Sequence, residues 1–405
     1  MLQHIISRLF RARHYWRDIS FDELAELYSS RLITVFAVNL VSLFAAVYLY
    51  KLGYSLQFLT LFYAALFILK ALVSFVSAKV VAYFGPKHGI LFANIIRVPA
   101  LLSFAAVPQA GSMAFWYIVV FGVLNTIAAG LYELSYLVDF SKVKHSDHAG
   151  KEIGTMQIIE QIAKVVSPLA GGVIASFVSP TATLVVASCA FLVAALPLFH
   201  TVEPTKTKAK LRFSGFPWRY AIPSLVSEFS TGLDFVVSGS MWALFVVIFV
   251  FADLHDGVYA ALGGLASVGV LVSILSAWVF GQIVDRHKGH ILLTVGLVVN
   301  MMIHIFRPFV SSAAGVVATN IANETATSAY LLPFTRVKFD IADSSGFRLT
   351  YMMYVAIFFD LGCALAALLF WVFLSITTEY SAFVMLFIAA AAGELLLLFS
   401  RRLAK

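Results

Sequence analysis

The chain is a succession of apolar runs, each about 20 residues or longer, and that pattern removes most folds before any motif is considered. Twelve runs are legible: 21–50, 56–83, 89–107, 112–138, 153–177 and 181–199, then 221–251, 257–283, 290–309, 312–335, 350–375 and 381–400. About 20 apolar residues in a helix cross the hydrocarbon of a bilayer. The runs do not alternate and are about twice the length of a barrel strand, so helices are the conformation that satisfies their backbone in lipid. Charged residues make up 12% of the 405, against about 25% in soluble proteins. Mean hydropathy is +0.92. A soluble enzyme and a disordered chain are both excluded, and the expected fold class is an all-α polytopic membrane protein with twelve transmembrane helices.

The cations orient it. With the N-terminus inside, 22 of the 28 lysines and arginines fall in the leading segment, the inner loops and the tail; Lys51 alone falls outside, and five lie within spans. Cytoplasmic loops carry such an excess, so both termini are expected in the cytoplasm and the chain in the inner or plasma membrane. The same asymmetry accounts for the net charge of +7 with no nucleic-acid partner. Residues 1–19 place Leu2, Ile5, Ile6, Leu9 and Phe10 at helical spacing beside Arg8, Arg11, Arg13 and Arg17. This predicts an amphipathic helix on the anionic membrane face rather than a secretory signal.

The stretch 201–220 is a basic cytoplasmic linker between two six-helix halves, 20–200 and 221–400; 401–405 form a short tail. The halves echo one another. Gly150 and Gly346 follow a basic loop, and Lys164 and Asp360 each come fourteen residues later. Asn125 and Asn323 each precede a tyrosine, Tyr132 and Tyr330, by seven. Gly53 and Gly257 sit at the first turn of each half. Two pseudo-symmetric parallel halves are a transporter pattern, with the substrate near the midplane.

The loop after the eighth run reads Gly281, Asp285, Arg286, Lys288, Gly289, and the loop after the second keeps Gly85 and Lys87 with Ala82 in the aspartate's place. This resembles the G-x-x-x-D-R-x-G-R-R signature of the major facilitator superfamily. The fifth run carries Ala163, Ser167, Pro168, Gly171 and Gly172, similar to the G-x-x-x-G-P-x-x-G-G signature of that family's exporters. The arginine signature of the fourth span in proton antiporters is missing, since 112–138 holds no arginine. The resemblance implies an alternating-access transporter leaning to export, with Gly85, Pro168, Gly171, Gly172, Gly281, Asp285 and Arg286 as gating residues. In physical terms, small residues admit close helix approach and Pro168 removes a helix hydrogen bond.

Ionisable groups inside a bilayer are costly and face a cavity or a partner. Arg31, Lys70, Glu133, Glu160, Lys164, Asp234, Glu324 and Asp360, with Asn125, Asn320 and Asn323 beside them, are the candidate substrate and proton-coupling residues. Glu160 and Lys164 share a helix face. The repeat pairs Lys164 with Asp360 and Arg31 with Asp234, opposite charges that are expected to meet across a central cleft. Asp234, Glu324 and Asp360 lead as proton carriers, being acids at mid-depth in the half without a cation among these candidates; protonating a paired acid frees its cation. Arg97 is expected to pair locally. Arg307 and Glu394 fall near run ends, where snorkelling is expected.

No enzyme motif competes: H-E-x-x-H, G-x-S-x-G and the nucleotide-binding G-x-x-x-x-G-K-[ST] are absent, as are spaced metal ligands among the ten histidines and the cysteines Cys189 and Cys363. Transport therefore draws on a gradient, of protons with sodium as the open alternative, and needs no cofactor or metal. A bilayer and a small organic molecule are the expected partners of a monomer. An uptake symporter or uniporter, a lipid translocator, and a transport-dead receptor are the competing readings. Single cysteines placed within 202–215 or at 401–405 are expected to react with impermeant reagents only from the cytoplasmic side; labelling from outside would overturn the orientation.

Overall fold

The computed structural model describes residues 21–42, 44–143, 149–199, 211–285 and 289–400. The interfacial helix expected at 1–19, residues 201–210 of the linker, Arg286 and the tail 401–405 lie outside them. The described residues are almost wholly helical, with no strand among them.

The chain groups into two compact units. The first comprises the described residues of Met1–Ser42 and Val73–Lys210, the second Leu43–Leu72 and Leu211–Lys405. Unit 1 contains α1 (Phe21–Val41), α4 (Pro86–Ala106), α5 (Ala114–Val143), α6 (Ala149–Phe177) and α7 (Pro180–Ala195). Unit 2 contains α2 (Ala45–Lys51), α8 (Trp218–Val236), α9 (Trp242–Phe245), α10 (Val258–Asp285), α11 (Gly289–Phe306), α12 (Ala313–Ser344), α13 (Arg348–Ile376) and α14 (Glu379–Gly393). The long α3 (Leu56–Phe84) contributes its first part to unit 2 and its second to unit 1. In unit 1, α1 packs on α6 and α7, and α4 on α5 and α7. In unit 2, α8 packs on α13, and α12 on α10 and α11.

Among the described residues, ten helical stretches are long and apolar enough to cross a membrane. The two remaining runs, 153–177 and 312–335, fall in α6 and α12, of 29 and 32 residues. Those helices carry Glu160 and Lys164, and Asn320, Asn323 and Glu324.

Local chemistry sets the helix ends. The Ser179 hydroxyl accepts the Ala182 N–H at 3.0 Å, with Pro180 in the first turn of α7. Ser312 accepts the Gly315 N–H at 3.1 Å at the start of α12. Both satisfy donors that a helix start leaves open. Gly85, at φ 90°, makes the turn into α4 ahead of Pro86, a conformation that a side chain disfavours. After α8 the chain continues through two wide π turns, Val237–Met241 and Val246–Val250, flanking α9. Such turns insert a residue into the helix and re-aim side chains.

The α8–α13 crossing is the tightest backbone contact described here. A methyl on Gly232 would land on the Phe359 carbonyl oxygen, and one on Gly362 on the Phe229 carbonyl oxygen. The Cys363 thiol donates to the Gly232 carbonyl at 3.1 Å. Gly232→Ala or Gly362→Ala is expected to cost about 1–3 kcal/mol of stability by overpacking. At Gly281 an added Cβ meets nothing within 4 Å, so Gly281→Ala is expected to stay within ~0.5 kcal/mol. Thermal unfolding of the three variants in detergent measures the contrast.

Candidate functional site

Each unit holds a buried polar centre, built on α1 in unit 1 and on α8 in unit 2. In unit 1 the centre is a cation. Arg31, on α1, donates from Nε to Glu160 Oε1 at 2.8 Å and from Nη1 to Tyr132 Oη at 2.9 Å. Its guanidinium lies 3.6 Å from the Tyr136 ring centroid, and Tyr136 Oη donates to Glu160 Oε1 at 2.8 Å. Charge, planar hydrogen bonding and a ring face thus all engage one guanidinium. Lys164 stands one turn beyond Glu160 and reaches it only at 4.0 Å, with 37% of its side chain exposed. Arg97 is buried against the Tyr132 and Phe191 rings, each 4.9 Å away. Glu133 is half-buried and acts on Arg97 electrostatically.

In unit 2 the centre is an anion. Asp234 lies in the last turn of α8. Its Oδ1 accepts from Ser238 Oγ at 2.6 Å and pairs with His304 Nε2 at 2.9 Å; its Oδ2 accepts from Tyr330 Oη at 2.6 Å. The π turn after α8 carries Ser238 in position for this bond. Arg307 lies over the group. It reaches His304 Nδ1 at 2.9 Å from Nη1, and Ser238 Oγ at 3.0 Å and Asn323 Oδ1 at 2.8 Å from Nη2. Glu394 closes the centre, accepting from Asn300 Nδ2 at 2.5 Å with His304 Nε2 at 3.7 Å. Nearby, Trp242 Nε1 donates to Asn320 Oδ1 at 2.7 Å, and half-buried Glu324 rests against Gly269.

Other buried charges pair within the same unit. Lys70 meets Asp360 at 2.8 Å, with the Asp360 side chain 0% exposed. Lys338 meets Glu228 at 3.0 Å.

The structure therefore brings together Arg31 with Glu160, Lys70 with Asp360, and Asp234 with Asn323. It redistributes other expected partners. Lys164 and Asp360 were expected opposite one another, but Asp360 is taken by Lys70 and Lys164 stands at Glu160. Arg31 and Asp234 likewise have partners inside their own units. The repeat is still visible in them: Arg31 and Asp234 bond Tyr132 and Tyr330 respectively, the two tyrosines that the sequence repeat equates. Arg307 and Glu394 do not snorkel; each is 1% exposed. Arg307 opens a tight turn after α11 that returns its guanidinium to the bundle, where hydrogen-bond acceptors replace water. His304 and Glu228 escaped the sequence reading. The signal for the first was present: Asn300, His304 and Arg307 recur at i, i+4 and i+7, one face of a helix.

Of the expected gating residues, Gly171 lets α6 touch the backbone of α1 at Leu40, and Pro168 and Gly172 are buried in α6. Asn125 is half-buried on α5. Gly281 faces open space, and Asp285 ends α10; Arg286, the other expected gating residue of that loop, falls outside the described residues.

Asp234, His304 and Glu394 offer donor atoms within 4.8 Å of one another, the spacing of a metal site. The chemistry of the ring opposes one. A guanidinium only donates, so His304 Nδ1 accepts and Nε2 carries the hydrogen. The ring's lone pair then points at Arg307 and not between the two acids.

The sequence model of the Major Facilitator Superfamily matches residues 27–335. The chain belongs to this superfamily. No curated protein matches it. Among solved structures it is similar to a POT family transporter in complex with a thioalcohol-conjugated peptide, with TM-score 0.75, 11% identity, and coverage of 95% of this chain and 97% of that one. A bacterial homologue of the iron transporter ferroportin in an inward-facing state gives 0.68, 14%, 94% and 98%. A D-xylose-proton symporter gives 0.67, 11%, 92% and 97%. At such identities the likeness is one of fold. With the family and the apolar helices it makes this superfamily member an integral membrane transporter and not an enzyme.

Breaking a buried ion pair by removing one partner costs about 3–5 kcal/mol, whereas removing both costs far less. Lys70→Met and Asp360→Asn are each expected to destabilise by that amount, and the double variant to recover most of it. A double-mutant cycle by unfolding in detergent measures the coupling; a value within ~0.5 kcal/mol of zero would mean that the two residues act independently.

Proposed function

We propose that this protein is a proton-coupled, alternating-access exporter of a small organic molecule. In this reading α6 and α12 also cross the bilayer, giving twelve spans with both termini cytoplasmic, and the protein acts as a monomer without a cofactor in the inner or plasma membrane. Membership of the superfamily supports gradient-driven transport. One structural neighbour is itself named a proton symporter.

The observation that carries proton coupling is the centre of unit 2. Two fully buried carboxylates, Asp234 and Glu394, there face one fixed cation, Arg307. Elsewhere in the unit, Asp360 and Glu228 each have a lysine of their own. A buried negative charge without a matching cation is costly, and a proton is the smallest ion that removes it. Export rests on the likeness of Ser167-Pro168 and Gly171-Gly172 in α6 to the exporter signature. The long polar α12, with Asn320 and Glu324 half-buried, supports a polar or zwitterionic solute over an apolar one.

The test is reconstitution into liposomes carrying an internal pH dye, followed by a screen of small organic solutes under an imposed proton gradient. The expected result is a solute whose movement dissipates the gradient and runs opposite to the protons, and whose flux stops with an uncoupler. Solute moving with the protons would make the protein a symporter. Flux indifferent to the gradient would remove proton coupling altogether.

A further inference from the structure

Hydrogen-bond accounting around Asp234 separates the three groups able to take a proton. His304 is closed to one. Its Nδ1 faces Arg307 Nη1 at 2.9 Å, and a second ring proton there would set donor against donor. Asp234 is already served as an anion: Ser238 and Tyr330 hydroxyls donate to it at 2.6 Å, and His304 Nε2, which carries the ring hydrogen, donates at 2.9 Å. Protonating it would forfeit charge-assisted bonds, the stronger kind. Glu394 differs. It is 1% exposed, yet its one short bond is from Asn300 Nδ2 to Oε1, and its Oε2 is buried without a partner among the described residues. An ionised carboxylate has about four acceptor sites to fill, and leaving them empty in a buried place is the costly outcome. Asn300 holds the complement: it is 0% exposed and its Oδ1 is likewise buried with no partner among the described residues.

We infer that Glu394 is the proton-binding group of unit 2 and that Asn300 is a positioning residue serving both of its states. Ionised, Glu394 accepts from the Asn300 amide nitrogen. On protonation an O–H bond forms on the carboxyl and its charge is lost. The Asn300 amide turns over, so that Oδ1 accepts the new O–H and the idle acceptor gains a donor. The charged and titratable groups facing Glu394 agree with this. Asp234 from α8, His304 from α11, Arg307 from the turn after it and Tyr330 from α12 act on it. Glu324, further off, acts on Asp234 and Arg307. With Glu394 ionised, Asp234 and Glu394 oppose one arginine; with it protonated, Asp234 and Arg307 balance. The inference rests on the proposed coupling for its purpose and moves the proton from the acids that the sequence favoured, Asp234, Glu324 and Asp360, to Glu394.

Infrared difference spectroscopy tests it on the full chain in lipid nanodiscs, between about pH 9 and about pH 5, in light and heavy water. The expected spectrum gains one band of a buried protonated carboxyl, shifted by deuterium, that Glu394→Gln lacks. Asn300→Ala keeps the band and moves it, because the hydrogen bond to the C–O–H is lost; this variant carries the test if Glu394→Gln does not fold. Persistence of the band in Glu394→Gln overturns the assignment, as does its absence from the wild-type spectrum. An unmoved band in Asn300→Ala overturns the role of Asn300. No solute is needed, so a failure of coupled flux leaves Glu394 standing, and a failure here leaves coupled transport standing with another acid as carrier.

Discussion

A carboxylate buried in a membrane helix has to replace water with donors from its own protein, and the centre of unit 2 is organised around that need. Asp234 draws its donors from three helices: Ser238 from the π turn that extends α8, His304 from α11 and Tyr330 from α12. Each bond fixes the rotation of the helix that supplies it. The π turn begins three residues after Asp234 and carries Ser238, one helical turn beyond it, onto the carboxylate. The apolar packing around the centre, with Leu293, Leu297, Tyr330, Phe334 and Leu397 in one cluster, holds these helices close enough for the bonds to form. In lipid, where apolar burial does little to drive helices together, such polar bonds and the close α8–α13 crossing are what specify the arrangement.

Unit 1 solves the mirror problem. Its buried ion is a guanidinium, satisfied by one carboxylate, a hydroxyl and the face of a ring. Both units place a tyrosine on the central ion, and it is the same tyrosine of the repeat, Tyr132 in one and Tyr330 in the other. A phenol serves either sign because its oxygen accepts from Arg31 and its hydrogen donates to Asp234. The two units thus set equivalent tyrosines on ions of opposite sign. The consequence for chemistry is asymmetric. Arg31 cannot lose its proton at any physiological pH, and the proposed proton exchange is therefore assigned to the acids of unit 2.

Much of this was legible in the residues. The apolar runs, the repeat, the Tyr132 and Tyr330 correspondence and the candidate ionisable groups follow from spacing and composition. Partner choice did not. Lys164 and Asp360 are aligned by the repeat, yet Lys70 holds Asp360, because alignment equates positions within halves and says nothing of which side chains lie near each. Arg307 and Glu394 were misread because distance along a run stands for depth only when the chain leaves the bundle there. Each instead enters a tight 3₁₀ turn and stays inside. His304 was overlooked because a lone histidine carries little weight until its helix neighbours are counted with it.

What the sequence by itself determined is the class of structure: lipid accepts only helices whose backbone is satisfied internally, so runs of this length and apolarity dictate a helical membrane protein, and the distribution of lysine and arginine predicts its orientation. What only the tertiary structure decided is the bonding inside the units. Whether Glu394 is a surface anchor or a buried acid short of donors, and whether Asn300, His304 and Arg307 address it or lipid, depends on helix rotation and crossing. Those are set by contacts among residues far apart in the chain, up to 290 positions for Lys70 and Asp360, which no local pattern encodes.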